Sequence, residues 1–126
     1  MISARTKLYA VVGDPVERSL SPIMHNGWFA DHGIDAAYVA LQVRDGGVLS
    51  ALGKLGFAGV NVTVPHKQAA AALATSRSPA ALSLGAANVL RFSADGTAAA
   101  FNTDADGLDR ALQERWPDWT TQTRAA

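Results

Sequence analysis

Two serines stand two residues apart in Ser19-Leu20-Ser21-Pro22, immediately ahead of a helix start. Hydroxyls so placed can hold a carboxylate or a polyhydroxylated ligand, and the helix N-terminus adds partial positive charge at the same spot. The same pair equally serves structure, with Ser21 capping the helix and Ser19 closing a turn. A denser group follows in Asn61-Val62-Thr63-Val64-Pro65-His66-Lys67. Asn61 and Thr63 share one parity of a strand and so face one side near its C-terminal end, where open α/β sheets usually build sites. Lys67, just beyond, can donate a hydrogen bond to a substrate oxygen or relay a proton to it. In Asn102-Thr103-Asp104, where a hairpin gives way to the last helix, Asp104 can pair with Lys67 or cap that helix. Asn88, at the end of its own strand, offers one more carboxamide for a ligand oxygen. Read structurally, Asn61 satisfies backbone groups, Thr63 builds a strand and Lys67 solvates a helix; local spacing does not separate those roles from the chemical ones.

Other chemistries are excluded or poorly supported. The chain has no cysteine, which removes disulfide frameworks, thiolate nucleophiles and cysteine-ligated metal clusters. His25, His32 and His66 do not complete a metal-ligand spacing, so no metal site is expected. His25 could bind an anion, but inside a helix beside Asn26 it reads more simply as packed or hydrogen-bonded. Eleven Lys and Arg balance eleven Asp and Glu, so no global field draws the chain to nucleic acid or to an anionic lipid surface. Trp28, Trp116 and Trp119 are not interleaved with basic residues as a base-stacking platform would require, and read as core or interface. No stretch approaches the roughly 20 apolar residues of a membrane span, and a soluble, cytoplasmic protein is the default.

The elements that must position the polar groups follow from punctuation and period. Leu8 to Val12 is an apolar strand closed by Gly13, Asp14 and Pro15, and Ser21-Pro22 opens a helix that Gly33 stops. Ala37 to Val43 is a second strand, and Asp45 caps a helix running toward Gly56. Gly59 to Val64 is a third strand, and Pro65 ends it and opens the helix that carries His66, Lys67 and an alanine run. A short helix spans Ser78 to Leu84, and Asn88 to Phe92 and Thr97 to Phe101 flank the Asp95-Gly96 turn of a hairpin. In the last helix Leu108, Ala111, Leu112 and Trp116 follow a helical period. Strands alternating with helices predict a three-layer α/β domain with a central mixed, mostly parallel sheet flanked by helices. Alanine, 25 of 126 residues, either permits close helix packing or reflects compositional bias. Residues 1–116 are expected to form the domain and 117–126 a tail or the start of a linker.

With these motifs in view, the chain resembles the N-terminal substrate-binding domain of the shikimate dehydrogenase family, which includes quinate dehydrogenases. The resemblance rests on Tyr9-Ala10-Val11-Val12-Gly13-Asp14-Pro15, Ser19-Leu20-Ser21-Pro22 with His25-Asn26, Asn61 through Lys67, Gly85-Ala86-Ala87-Asn88, and Asn102-Thr103-Asp104 through Gly107, all in family order. It implies an NADP-dependent oxidoreductase that interconverts 3-dehydroshikimate and shikimate in aromatic amino acid biosynthesis. It further implies that Ser19 and Ser21 grip the substrate carboxylate, that Asn61, Thr63, Asn88 and Asp104 contact ring hydroxyls, and that Lys67 and Asp104 form the catalytic pair. Lys67 would donate or relay the proton as the ring carbonyl is reduced, and Asp104 would orient it.

Two departures qualify what the resemblance implies. The usual phrase Gly-Ala-Val-Asn-Thr reads Gly85-Ala86-Ala87-Asn88-Val89 here, losing a hydroxyl next to Asn88. No glycine-rich dinucleotide fingerprint follows Asp104, after which 22 residues remain, so this chain is expected to have no Rossmann cofactor domain and no cofactor-binding residues of its own. NADP would then be held by a domain absent from the chain, and a C-terminal helix that normally returns to complete the first domain would be absent too. The isolated chain is expected to be inactive, with a homodimer favoured by surface that the missing half leaves apolar. A quinate or related cyclic hydroxy-acid dehydrogenase domain and a non-enzymatic small-molecule binding module are the alternatives.

Overall fold

Apolar runs with turn residues at both ends become the strands of the sheet in the computed structural model, which describes residues 1–119. Of the expected 117–126 tail, residues 120–126 lie outside the described residues. In chain order the elements are β1 (Lys7–Gly13), α1 (Ser21–Asp31), β2 (Ala36–Gln42), α2 (Leu49–Lys54), β3 (Phe57–Val62), α3 (Lys67–Leu73), β4 (Ser76–Arg77), α4 (Pro79–Leu84), β5 (Val89–Phe92), β6 (Ala98–Phe101) and α5 (Asp104–Arg115). A 3-10 turn at Gly46–Val48 precedes α2, its first N–H groups held by Asp45, whose carboxylate accepts from the Gly47 amide at 2.9 Å. Ser78 caps α4 through its hydroxyl, and Gly85 ends that helix in the left-handed conformation (φ 62°), which glycine adopts without a Cβ penalty.

The six strands lie in the order β2-β1-β3-β5-β6-β4. β1 runs parallel to both β2 and β3, and β4 parallel to β6, while β3 with β5 and β5 with β6 are antiparallel. The sheet is therefore mixed and mostly parallel, as expected, with the β5–β6 hairpin supplying the antiparallel part. The two-residue β4 was not anticipated; Ser76 and Arg77 are exposed and give no apolar pattern.

Strand alternation sorts side chains onto two faces. Ala10, Val12, Val60, Val62, Leu90, Ala98 and Ala100 point to the face where Leu49 and Leu52 of α2, Ala70 and Ala71 of α3 and Ala81 of α4 complete one core. Eight of the fifteen buried residues in that core are alanine, so the composition does permit close approach of helices to sheet. The other face carries Tyr9, Tyr38 and Asn61 beneath α1, where the Phe29 ring meets Tyr9 at 5.7 Å between centroids. Helices on both faces make the three layers.

α5 forms as expected, but its apolar stripe is not a buried face: none of its residues is buried, and Leu108 and Trp116 are 61% and 57% exposed. Trp28 on α1 is half exposed as well. Among the described residues no helix is long and apolar enough to cross a membrane.

Candidate functional site

At the C-terminal ends of β1 and β3 the chain leaves the sheet in two loops, and a cavity of about 730 Å³ opens between them and the start of α5. Ser19, Ser21, Asn61, Thr63, Lys67, Asn88 and Asp104 all line it. These are the seven residues singled out from the sequence, drawn from four separated segments. The sheet order explains the gathering: β3 is flanked by β1 on one side and β5 on the other, so the ends of these strands are neighbours.

The serine loop is fixed from within. Ser19 Oγ accepts from the Ser21 amide at 3.2 Å, and the Ser19 amide donates to the Val16 carbonyl at 2.9 Å. Ser21 does not cap α1: Leu20 occupies the cap position without a side-chain bond, Ser21 is the first helical residue, and Pro22 follows it. The Ser19 hydroxyl takes the Ser21 amide, which leaves the Ser21 side chain facing the cavity. Both peptide bonds Asp14–Pro15 and Val64–Pro65 are cis.

The strand that carries Asn61 ends at Val62, earlier than the expected Val64, and Thr63 and the Val64 carbonyl lie close against Gly13. The Thr63 amide still donates to the Val12 carbonyl at 2.9 Å and the Asp14 amide to the Val64 carbonyl at 2.9 Å, so the turn is tied to β1 by two backbone bonds. Pro65 lies in this turn and does not open α3. His66 occupies the cap position, and its buried ring bonds the Val43 carbonyl through Nε2. Lys67 is thus the first helical residue, with its side chain free to leave the helix toward the cavity.

Lys67 Nζ reaches Asp104 Oδ2 at 2.6 Å, the one salt bridge among the described residues. The two side chains are 34% and 52% exposed, so the pair contributes little to stability, of order 0–1 kcal/mol. Its effect is positional. The other Asp104 oxygen, Oδ1, accepts from Asn88 Nδ2 at 3.0 Å, and the same Asn88 nitrogen donates to Thr103 Oγ1 at 2.8 Å. Asn88 Oδ1 accepts from the Thr103 amide at 3.0 Å. The choice left open for Asp104, helix cap or lysine partner, is resolved by position: Asp104 is the first helical residue and not the cap, and its two carboxylate oxygens go to Lys67 and Asn88. The buried Asn102 holds the backbone beside it, taking the Asp104 amide on Oδ1 at 2.9 Å and donating Nδ2 to the Ala86 carbonyl at 3.0 Å. Thr103 stands at the cap position, but its hydroxyl serves Asn88 and caps nothing.

His25 also lines the cavity, and it is packed and hydrogen-bonded as its helical position suggested. Its ring lies flat on Tyr38, with centroids 4.2 Å apart and planes 9° from parallel, and Nδ1 sits 2.9 Å from the Ser21 carbonyl. A carbonyl only accepts, so that nitrogen carries the proton. Tyr38 was not singled out from the sequence, although its hydroxyl donates to Asn61 Oδ1 at 2.7 Å. The one available signal was its parity on β2, which places it on the same sheet face as Tyr9. Val89, which stands where the family phrase has threonine, pairs with Asn61 across the β3–β5 ladder and does not line the cavity.

The described residues do not fit a dinucleotide. Its pyrophosphate needs open glycine backbone where a parallel strand passes into a helix. After β1, Gly13 is pressed against Thr63 and the Val64 carbonyl; after β2, Gly46 backs onto the His66 ring; after β3 the turn has no glycine. What these residues present is a polar cleft lined by hydroxyls and carboxamides together with a paired ammonium and carboxylate. Such a set can hold a small hydroxylated acid and place one of its oxygens against Lys67 Nζ.

The family described as the shikimate dehydrogenase substrate binding domain matches residues 11–90. A shikimate dehydrogenase (NADP(+)) of Anaeromyxobacter dehalogenans is 54% identical over 116 residues, covering 90% of this chain and 41% of that protein. Among solved structures, shikimate 5-dehydrogenase from Listeria monocytogenes in complex with shikimate and NAD is 35% identical with a TM-score of 0.81, over 90% of this chain and 40% of the other. Quinate dehydrogenase from Corynebacterium glutamicum in complex with NAD is 31% identical with a TM-score of 0.79, over 90% and 43%. The chain spans about 40% of the length of the relatives it matches. By sheet order, by motif order and by the residues matched, it belongs to the shikimate dehydrogenase substrate-binding domain family.

Proposed function

We propose that the cavity binds shikimate or 3-dehydroshikimate as the substrate half of an NADP-dependent shikimate dehydrogenase. The observation that carries this reading is the convergence of the seven polar residues on one cavity with Lys67 Nζ and Asp104 Oδ2 2.6 Å apart. In it, the Ser19 and Ser21 hydroxyls take the ring carboxylate, and Asn61, Thr63 and Asn88 take ring hydroxyls. Lys67 Nζ stands at the reacting oxygen, gives it a proton as the carbonyl becomes a hydroxyl and takes that proton back in reverse. Asp104 holds the ammonium at that oxygen, and Asn88 and Asn102 hold Asp104. NADP is bound by other parts of the longer protein in a cytoplasmic setting, and the 126 residues alone bind the ring without turning it over.

The similarity to a quinate dehydrogenase favours a second reading, in which the ring acid is quinate. A protein-observed NMR titration with shikimate and, in parallel, quinate tests both. Saturable shifts centred on the seven residues with the stronger response to shikimate support the first reading; a stronger response to quinate supports the second. No shift with either acid at millimolar concentration overturns the proposal for this chain.

A further inference from the structure

We propose that Tyr38 is a positioning residue for this cavity, its hydroxyl holding the Asn61 carboxamide so that the amide nitrogen is presented to the ligand. The hydroxyl donates to Asn61 Oδ1 at 2.7 Å. The bond to Oδ1 fixes which end of the amide is which and leaves its NH2 group wholly free, since Asn61 lines the cavity with no protein acceptor on that nitrogen among the described residues. Tyr38 lies on β2, two strands from β3, and its ring reaches across β1 to make the contact.

The tyrosine is itself immobilised. It is 4% exposed. Asn26 of α1 clasps its backbone at both polar atoms, donating to the Tyr38 carbonyl at 2.8 Å and accepting from the Tyr38 amide at 2.9 Å. The His25 ring covers one face of the phenol. Burial pushes the phenol up to about 12, with the Ser21 hydroxyl beside it acting the other way, so the group stays protonated and remains a donor at any neutral assay pH. Since a phenylalanine would keep the stacking, the clasp and the burial, Tyr38→Phe removes little beyond the phenol's hydrogen bond to Asn61 and its contact with the Ser21 hydroxyl.

Two readouts on the 126-residue chain test this, and only the second rests on the ring-acid reading of the cavity. Without ligand, Asn61 side-chain amide relaxation in ¹⁵N NMR is expected to report a fixed group in the wild type and a reorienting one in Tyr38→Phe. The reciprocal variant Asn61→Ala reads the same bond from the other side: the Tyr38 hydroxyl proton, slowed in exchange in the wild type, is expected to exchange faster there. With shikimate, Tyr38→Phe is expected to weaken binding about two- to tenfold. In an Asn61→Ala background it is expected to have no further effect, because Tyr38 acts through Asn61. An Asn61 amide equally ordered in Tyr38→Phe, or an equal loss of affinity in both backgrounds, overturns the proposal. Failure of the wild type to bind either shikimate or quinate overturns the ring-acid reading, while the ligand-free amide readout still decides for or against Tyr38.

Discussion

Replacing Gly13 by alanine puts a methyl group where β1 and the Thr63–Val64 turn are in backbone contact. An ideal Cβ at Gly13 would overlap Thr63 Cγ2, lie 2.9 Å from the Val64 carbonyl oxygen and lie 3.2 Å from Val16 Cγ1. Thr63, which lines the cavity, can turn its methyl aside only by turning its hydroxyl as well. The Val64 oxygen is less free, since it accepts the Asp14 amide at 2.9 Å and belongs to the main chain. Overpacking of this kind costs about 1–3 kcal/mol. With an unfolding entropy of about 2.1 cal/mol/K per residue, that lowers the midpoint of a chain this long by about 4 to 11 °C. Gly27→Ala is the control: it lies in the middle of α1 and, apart from the helix's own backbone, an added Cβ meets nothing within 4 Å, and it is expected to gain about 0.5–1 kcal/mol, or about 2 to 4 °C. Thermal unfolding followed by circular dichroism measures both, and a shikimate titration measures the displacement of Thr63. A Gly13→Ala protein as stable as the wild type, with unchanged affinity, would refute the claim that this close approach sets the position of Thr63.

Further outcomes follow from the same geometry. In an enzyme that joins this domain to an NADP-binding domain, as proposed, Lys67→Ala is expected to depress turnover far more than substrate binding, and Ser19→Ala to weaken substrate capture several-fold; equal and negligible effects of both on kcat and KM would sink the site map. Asn102→Ala leaves the Ala86 carbonyl and the Asp104 amide without their partner, a loss of about 1–3 kcal/mol by urea denaturation. It should also broaden the Asp104 resonances, and sharp, unshifted signals there would contradict the role given to Asn102. Because the Tyr38 phenol titrates higher in the folded chain than its ordinary 10.0, its neutral form contributes stability that is fully present below pH 10 and lost as pH rises through about 12. Tyr38→Phe is therefore expected to flatten the alkaline limb of the stability profile relative to the wild type, and parallel limbs would rule that contribution out.

Much of the architecture was legible from local order alone, because strand and helix formation rest on period and punctuation. Leu8 to Val12, the Ser78-Pro79 start and the Asp95-Gly96 turn each carry their instruction within a few residues, and the structure places elements at all three. Boundaries and roles moved where distant contacts entered: the Asp104 carboxylate, a candidate cap, went to Lys67 and Asn88, and β3 stops at Val62, where Thr63 and Val64 lie against Gly13. The site residues were legible as residue types in ordered motifs, and Asp104 was legible as a partner for Lys67 or a helix cap; the fold, which brings the two to 2.6 Å across 37 positions, decided between those roles. The apolar stripe of α5 was read correctly as a period, yet the described chain leaves it exposed. Tyr38 was beyond local reading altogether, since its contact with Asn61 depends on β1 lying between β2 and β3. Sequence by itself determined which residues could do chemistry and which elements would carry them, because backbone preference and hydrophobic period act over a few neighbours. Only the tertiary structure decided which of those groups meet, because strand order and register bring together atoms that chain spacing leaves unrelated.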